Sequence, residues 1–195
     1  MQVPKPVGEP TVVWKKYGKK VVCQNFEFPD GHVEDFYLFG GGRPTIVLAV
    51  TKAGNIVAGR QYRPGANMVL DEVFGGHAEK PGETPEEIAR RELLQESGYS
   101  AGALVNLGWF YLDPPVNITA VDVFLALDCE RVAEPKLDRS EVIEIFERPV
   151  AEWYAQMRTS GQNAITLVAS LWAEPYLRRS RRLWRRFRRF LRKFV

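Results

Sequence analysis

Glu92, Gln95 and Glu96 stand at positions i, i+3 and i+4, so on a helix one face would carry two carboxylates and an amide oxygen. Upstream lies a glycine-rich run, Gly75-Gly76-His77-Ala78-Glu79-Lys80-Pro81-Gly82-Glu83, able to fold back beside that face. Carboxylates and backbone carbonyls are hard oxygen donors suited to Mg²⁺ or Mn²⁺, and Mg²⁺ binds through one or two carboxylates plus substrate phosphates. An anionic phosphate meets bare carboxylates only with a cation between them, so the chemistry implied is metal-assisted hydrolysis of a phosphorylated substrate. Gln95 offers oxygen without charge, which predicts weaker or fewer metal sites. The alternative is a solvated helix face, which would leave the glycine loop and the downstream Gly98 unexplained.

The surrounding elements must position these residues. Thr84-Pro85-Glu86-Glu87 combines an N-cap, proline at the first helical position and acids at the positive helix end, predicting a helix from Pro85 to Ser97 stopped by Gly98. Before it, Thr11 to Trp14, Lys20 to Phe28 and His32 to Phe39 read as strands, the last two joined by the turn Pro29-Asp30-Gly31. Thr45 to Thr51 and Ile56 to Tyr62 form a second hairpin pattern, and Met68 to Phe74 a further strand. After the helix come strands at Leu104 to Tyr111, Ala120 to Leu127 and Val142 to Phe146, then helices at Val150 to Met157 and Ala164 to Trp172. This order predicts an α/β fold, a mixed sheet covered by helices rather than a doubly wound βαβ repeat.

The chain has 195 residues, enough for one domain with an appendage, and its 45% hydrophobic and 26% charged residues fit a globular protein. Cys23 and Cys129 are too few for a disulfide framework and too far apart for a zinc spacing, which suits a reducing cytoplasm. The opening MQVPKPVGEP has no secretory apolar region, and no apolar run in the body exceeds the five residues Ile46 to Val50, so neither export nor a membrane span is expected.

The central segment resembles the Nudix box: Gly, five residues, Glu, seven residues, then Arg-Glu-hydrophobic-any-Glu-Glu-any-Gly-hydrophobic. Gly76, Glu83, Arg91, Glu92, Leu93, Glu96, Gly98 and Tyr99 fill eight of its nine specified positions. Six residues rather than five separate Gly76 from Glu83, with Pro81 as the apparent insertion, and Gln95 replaces the first Glu of the pair. The flanks, Gly59-Arg60-Gln61-Tyr62-Arg63-Pro64 and Leu70-Asp71-Glu72-Val73-Phe74-Gly75-Gly76, look like the ADP-ribose pyrophosphatase branch, although Phe74 and Gly75 stand where that branch has Pro and Ala.

The resemblance implies a Nudix-type α/β/α sandwich and hydrolysis of a nucleoside diphosphate sugar, foremost ADP-ribose to AMP and ribose 5-phosphate, with Mg²⁺ or Mn²⁺. It implies metal ligands at Glu92, Glu96 and the Gly75 carbonyl, with Gln95 the doubtful fourth. It makes Glu141 a candidate water-activating acid, Arg63 and Glu72 candidate substrate groups, and Glu83 with Arg91 a brace between loop and helix. Gly76 and Gly98 are the motif's structural glycines. A homodimer is implied as well. His77 is more simply structural, and Trp14, Phe39 and Trp109 are more simply core than adenine-stacking. The rival reading is a catalytically weakened Nudix-fold module that binds a nucleotide or tethers through its tail.

That tail is unusual. Residues 178–195 hold ten basic side chains and no acid, so residues 1–177 carry 17 basic against 24 acidic groups, a net −7. From Pro175 a fresh helix is predicted, in which Leu183, Trp184, Phe187, Phe190, Leu191, Phe194 and Val195 fall within an arc of about 140°. Such a basic amphipathic helix suits an anionic membrane surface, with docking on the acidic body as the alternative. Nucleic acid is disfavoured, because the acidic body opposes a wider footprint. The expected organisation is a β-rich segment at 1–42, the hydrolase domain at 43–174 and the basic helix at 175–195, in the cytoplasm or peripheral on the inner membrane surface.

Overall fold

The computed structural model describes residues 1–16, 19–138 and 141–179. These fall into two units, Met1–Arg43 with Trp109–Val121, and Pro44–Gly108 with the chain from Asp122 onward.

In the first unit, β1 (Lys5–Lys16), β2 (Lys19–Glu27) and β3 (Val33–Phe39) form an antiparallel sheet in that order. The predicted turn closes β2 onto β3, with the Gly31 N–H donating to the Phe28 carbonyl at 2.9 Å. The first strand, expected over Thr11 to Trp14, begins earlier and takes in part of the proline-rich lead as β1. Pro6 and Pro10 are tolerated because β1 is an edge strand, where a missing N–H breaks no central ladder. Pairing shifts between Val7 and Thr11, and the Gln24 amide donates to the Val7 and Gly8 carbonyls left over at that bulge.

In the second unit, β4 (Thr45–Thr51) is buried along its whole length, as a strand covered on both faces must be. It lies between β5 (Asn55–Arg63) and β10 (Ala120–Arg131), parallel to β10 and antiparallel to β5. Around this centre, β6 (Met68–Glu72) pairs with β5, β7 (Phe74–Gly76) with β4, β8 (Tyr99–Ser100) and β9 (Ala103–Tyr111) with β10, and β11 (Glu144–Pro149) with β5.

The helices are α1 (Pro85–Ser97), α2 (Val150–Met157) and α3 (Ala164–Arg179). Val47 and Ala49 join Ala89 and Leu93 of α1 in one apolar cluster, while alternation along the strand turns Ile46, Leu48 and Val50 to the opposite face. The helices α2 and α3 pack on β5 and β4, and the buried Trp153 indole donates to Ser170 at 2.9 Å, tying α2 to α3.

Two expectations change. The helix expected to end at Trp172 continues as α3 through Pro175, which therefore starts no fresh helix. The proline removes a bond to the Leu171 carbonyl, but Leu171 faces solvent, while Ala169, Ala173 and Leu177 stay buried one turn apart and hold the helix to the sheet. Residues 180–195, with most of the predicted amphipathic helix, lie outside the described residues.

Candidate functional site

Local chemistry makes α1 before any tertiary contact is needed. Thr84 Oγ1 accepts from the Glu87 N–H and the Glu87 carboxylate accepts from the Thr84 N–H at 2.8 Å, a complete capping box followed by Pro85. At the other end Gly98 takes a left-handed conformation, φ 76°, and its N–H donates to the Leu94 carbonyl at 2.9 Å. With Ile88, Ala89 and Leu93 buried, Glu92, Gln95 and Glu96 share a cavity of about 230 Å³ with Gly75, Gly76, His77 and Glu79. The Gly98 carbonyl accepts from Val132 and Ala133, and the Gln95 carbonyl accepts from Lys136 at 2.6 Å. These bonds lash the following loop to the end of α1, and the loop completes the cavity wall with Lys136, Asp138 and Glu141.

The two glycines of β7 are required by close approach. A Cβ on Gly75 would lie 2.4 Å from the Thr45 carbonyl oxygen, and one on Gly76 would lie 2.1 Å from Glu92 Oε1. The space a side chain would fill at Gly76 is thus held by the Glu92 carboxylate. Gly75 also donates its N–H to Glu96 Oε2 at 3.0 Å.

Arg91 is the brace between loop and helix. Its Nε and Nη2 reach the two Glu83 oxygens at 2.7 and 3.3 Å, and Nη2 also donates to the His77 carbonyl at 2.7 Å. Nη1 spans Glu79, Glu92 and the Gln95 amide oxygen at 3.1, 2.9 and 2.9 Å. The guanidinium fork suits this bidentate, multi-acceptor work, and it holds Glu83 below the usual carboxylate range. Gln95 therefore lines the cavity with its oxygen engaged by Arg91, while its amide nitrogen lies 3.4 Å from Glu79.

The remaining acids oppose one another. Burial is the main cause that pushes the Glu96 carboxyl up to about 8, with the charges of Glu92 and Glu141 adding to it and the Gly75 N–H opposing. Glu92 is raised too, by burial first, against the Arg91 hydrogen bond. Half-buried carboxylates driven toward neutrality in this way are what a cation relieves, and all the donors are hard oxygens. Among the described residues no group of three or more His, Cys, Asp or Glu side chains is arranged to hold a metal ion by itself.

The other sequence candidates fall elsewhere. Arg63 and Glu72 pair with each other, Arg63 Nε to Glu72 Oε2 at 2.7 Å, and neither lines the cavity, although the Arg63 charge is felt at Glu96. Trp14, Phe39 and Trp109, expected in the core, are each more than 40% exposed; Trp109 packs on Arg43 and Tyr111. Glu79, Lys136, Asp138 and Asn163 were not singled out in the sequence. Only Glu79 carried a signal, its place within the glycine loop; the others depend on partners distant along the chain.

Comparison with known proteins agrees with this geometry. The NUDIX domain model matches residues 42–166. The ADP-ribose pyrophosphatase of Bacillus subtilis (strain 168) is 34% identical over 125 residues, covering 64% of this chain and 67% of that protein. The methanol dehydrogenase activator of Bacillus methanolicus is 26% identical over 134 residues, 68% of this chain and 72% of its own. In fold, the crystal structure of an ADP compounds hydrolase superposes with a TM-score of 0.81 over 93% of this chain and 98% of that one, at 19% identity. The chain belongs to the NUDIX domain family and is a Nudix hydrolase similar to ADP-ribose pyrophosphatase.

Proposed function

We propose that the protein hydrolyses the diphosphate linkage of a nucleoside diphosphate sugar, with ADP-ribose the foremost substrate and AMP and ribose 5-phosphate the products. The observation that carries this reading is the convergence of Glu92, Glu96 and Glu141 on one cavity walled by Gly75 and Gly76. Glu92 and Glu96, with the Gly75 carbonyl, would hold Mg²⁺ or Mn²⁺. When bound, the metal supplies Lewis-acid polarisation of the phosphate and lowers the pKa of water. Arg91 fixes Glu92 from behind, the Gly75 N–H fixes Glu96, and the Asp138 N–H holds the Glu141 carboxylate at 2.9 Å. Glu141, which shares the cavity lining, would then take a proton from the attacking water. Arg63 would contact the diphosphate. A homodimer, a cytoplasmic location and the boundaries 1–42, 43–174 and 175–195 are part of the same reading.

The test is a screen of nucleotide sugars and dinucleotides for metal-dependent release of phosphatase-sensitive products. ADP-ribose should lead the panel, and inactivity throughout would overturn the reading. One observation favours the rival module that binds without turnover: the Gln95 oxygen is engaged by Arg91 instead of facing the cavity alone. Gln95→Glu separates the two. Restoring the family's carboxylate should lower the Mg²⁺ concentration for half-maximal activity, whereas a variant and parent equally inert, both binding ADP-ribose, would favour the module.

A further inference from the structure

Glu72 is a carboxylate buried to 2% exposure, a state that is costly unless every oxygen finds a donor. Oε2 accepts from Arg63 Nε at 2.7 Å, from Arg63 Nη2 and from the Gln61 amide at 3.2 Å; Oε1 accepts from Asn163 Nδ2 at 2.6 Å. With both oxygens occupied, and of the same charge as a phosphate, Glu72 is no direct substrate ligand. Its cationic partner is different. The Arg63 side chain is 47% exposed, and its Nη1 has no protein acceptor among the described residues.

Asn163 sits at the start of α3 and does two jobs at once. Its Oδ1 accepts from the Ile165 N–H at 2.8 Å, capping the helix, while Nδ2 holds Glu72. A carboxylate only accepts and a backbone N–H only donates, so the amide orientation is fixed by its partners. Helix α3 is itself pinned to this corner by the Val73 N–H, which donates to Thr166 Oγ1 at 3.3 Å. We propose that Asn163, acting through Glu72, is a positioning residue that holds the Arg63 guanidinium with Nη1 free to bind the substrate's diphosphate. This rests on the diphosphate-hydrolase reading above. Glu72 ends β6 three residues before Gly75, which lines the cavity, so the ion pair stands at the entry to that wall along the chain. Without the Asn163 amide, Oε1 loses its donor, Glu72 turns toward other partners and the guanidinium moves with it.

Asn163→Ser tests this, because serine still caps a helix but is too short to reach Glu72. Melting temperature, kcat and KM for ADP-ribose, and ADP-ribose binding by calorimetry in EDTA would be measured for the parent, Asn163→Ser, Arg63→Ala and the double variant. Asn163→Ser should raise KM and the dissociation constant by about tenfold with kcat near the parent's, since the lost contact is made in both ground and transition states, and should lower the melting temperature by a few degrees, since a buried Glu72 oxygen loses its donor. In the Arg63→Ala background it should add nothing to KM or binding. Multiplying effects in the double variant, or a lowered melting temperature with unchanged KM and binding, would overturn the proposal. A parent that binds ADP-ribose without cleaving it defeats the hydrolase reading alone, with the binding cycle still deciding this one; a parent that neither binds nor cleaves defeats both.

Discussion

At the scale of single residues, the site sets function against stability, and Glu96 shows it most directly. Its carboxyl is pushed up to about 8, above the ordinary 4.5, chiefly by burial. The linkage runs opposite to the usual carboxylate case. In the metal-free protein the unfolded chain ionises at Glu96 first, so this residue's contribution is fully present below pH 4.5 and is lost as pH rises toward 8. Glu96→Gln removes that titration. Without metal, the variant should therefore melt a few degrees above the parent at pH 8.5, and the two should converge near pH 5. Turnover at saturating Mg²⁺ should meanwhile fall by about two orders of magnitude or more, the scale of losing a principal electrostatic stabiliser. A variant less stable than the parent at pH 8.5 would refute the burial argument; near-normal turnover would refute the metal assignment. Gly76→Ala addresses the same acids by steric means. A methyl 2.1 Å from Glu92 Oε1 must displace that carboxylate, so Mg²⁺ affinity should drop while the fold survives, and calorimetric titration of the metal would read it.

At the scale of elements, α1 carries the site because its ends are specified locally and its middle is held tertiarily. Gly98→Ala attacks the first of these. Alanine at φ 76° is strained, and its Cβ would lie 2.1 Å from the Ala133 carbonyl oxygen, a backbone atom with little freedom to move. The expected loss is about 1–3 kcal/mol, visible as a lowered denaturation midpoint. Activity should fall as well, since the same junction ties the loop bearing Glu141 to α1. An unchanged midpoint would mean that the loop shifts freely. These positions also show what was legible in the sequence. Thr84, Pro85 and Gly98 act on their own neighbours, so both bounds of α1 could be read to the residue, as could Val150–Met157 for α2. The edge position of β1 and the passage of α3 through Pro175 are set by packing that one segment cannot announce. The box likewise announced, through fixed spacing, that Glu92 and Glu96 share one face and that Arg91 pairs with Glu83. The Asn163–Glu72 bond joins residues 91 positions apart, and no local pattern records it.

At the scale of the whole molecule, the charge is divided along the chain, and that division invites an anionic partner. Residues 180–195 contain eight basic side chains and no acid, against a body that is net acidic. No helix among the described residues is long and apolar enough to cross a membrane. An amphipathic basic segment binds anionic lipid by two additive effects, Coulomb attraction of roughly 1 kcal/mol per basic residue and burial of an apolar face. Salt screens the first and leaves the second. The fold also indicates where to cut. Leu177 is buried and Arg178 pairs with Glu174, so α3 should be kept to Arg179 and only residues 180–195 removed. The truncated protein should keep its melting temperature and its turnover of soluble substrate while losing sedimentation with vesicles rich in anionic lipid. The full chain should bind those vesicles, release partly as salt is added, and ignore neutral ones. If truncation lowers the melting temperature by several degrees, or the full chain ignores anionic vesicles, the segment packs on the acidic body of its own chain or of a second copy, and the membrane role falls.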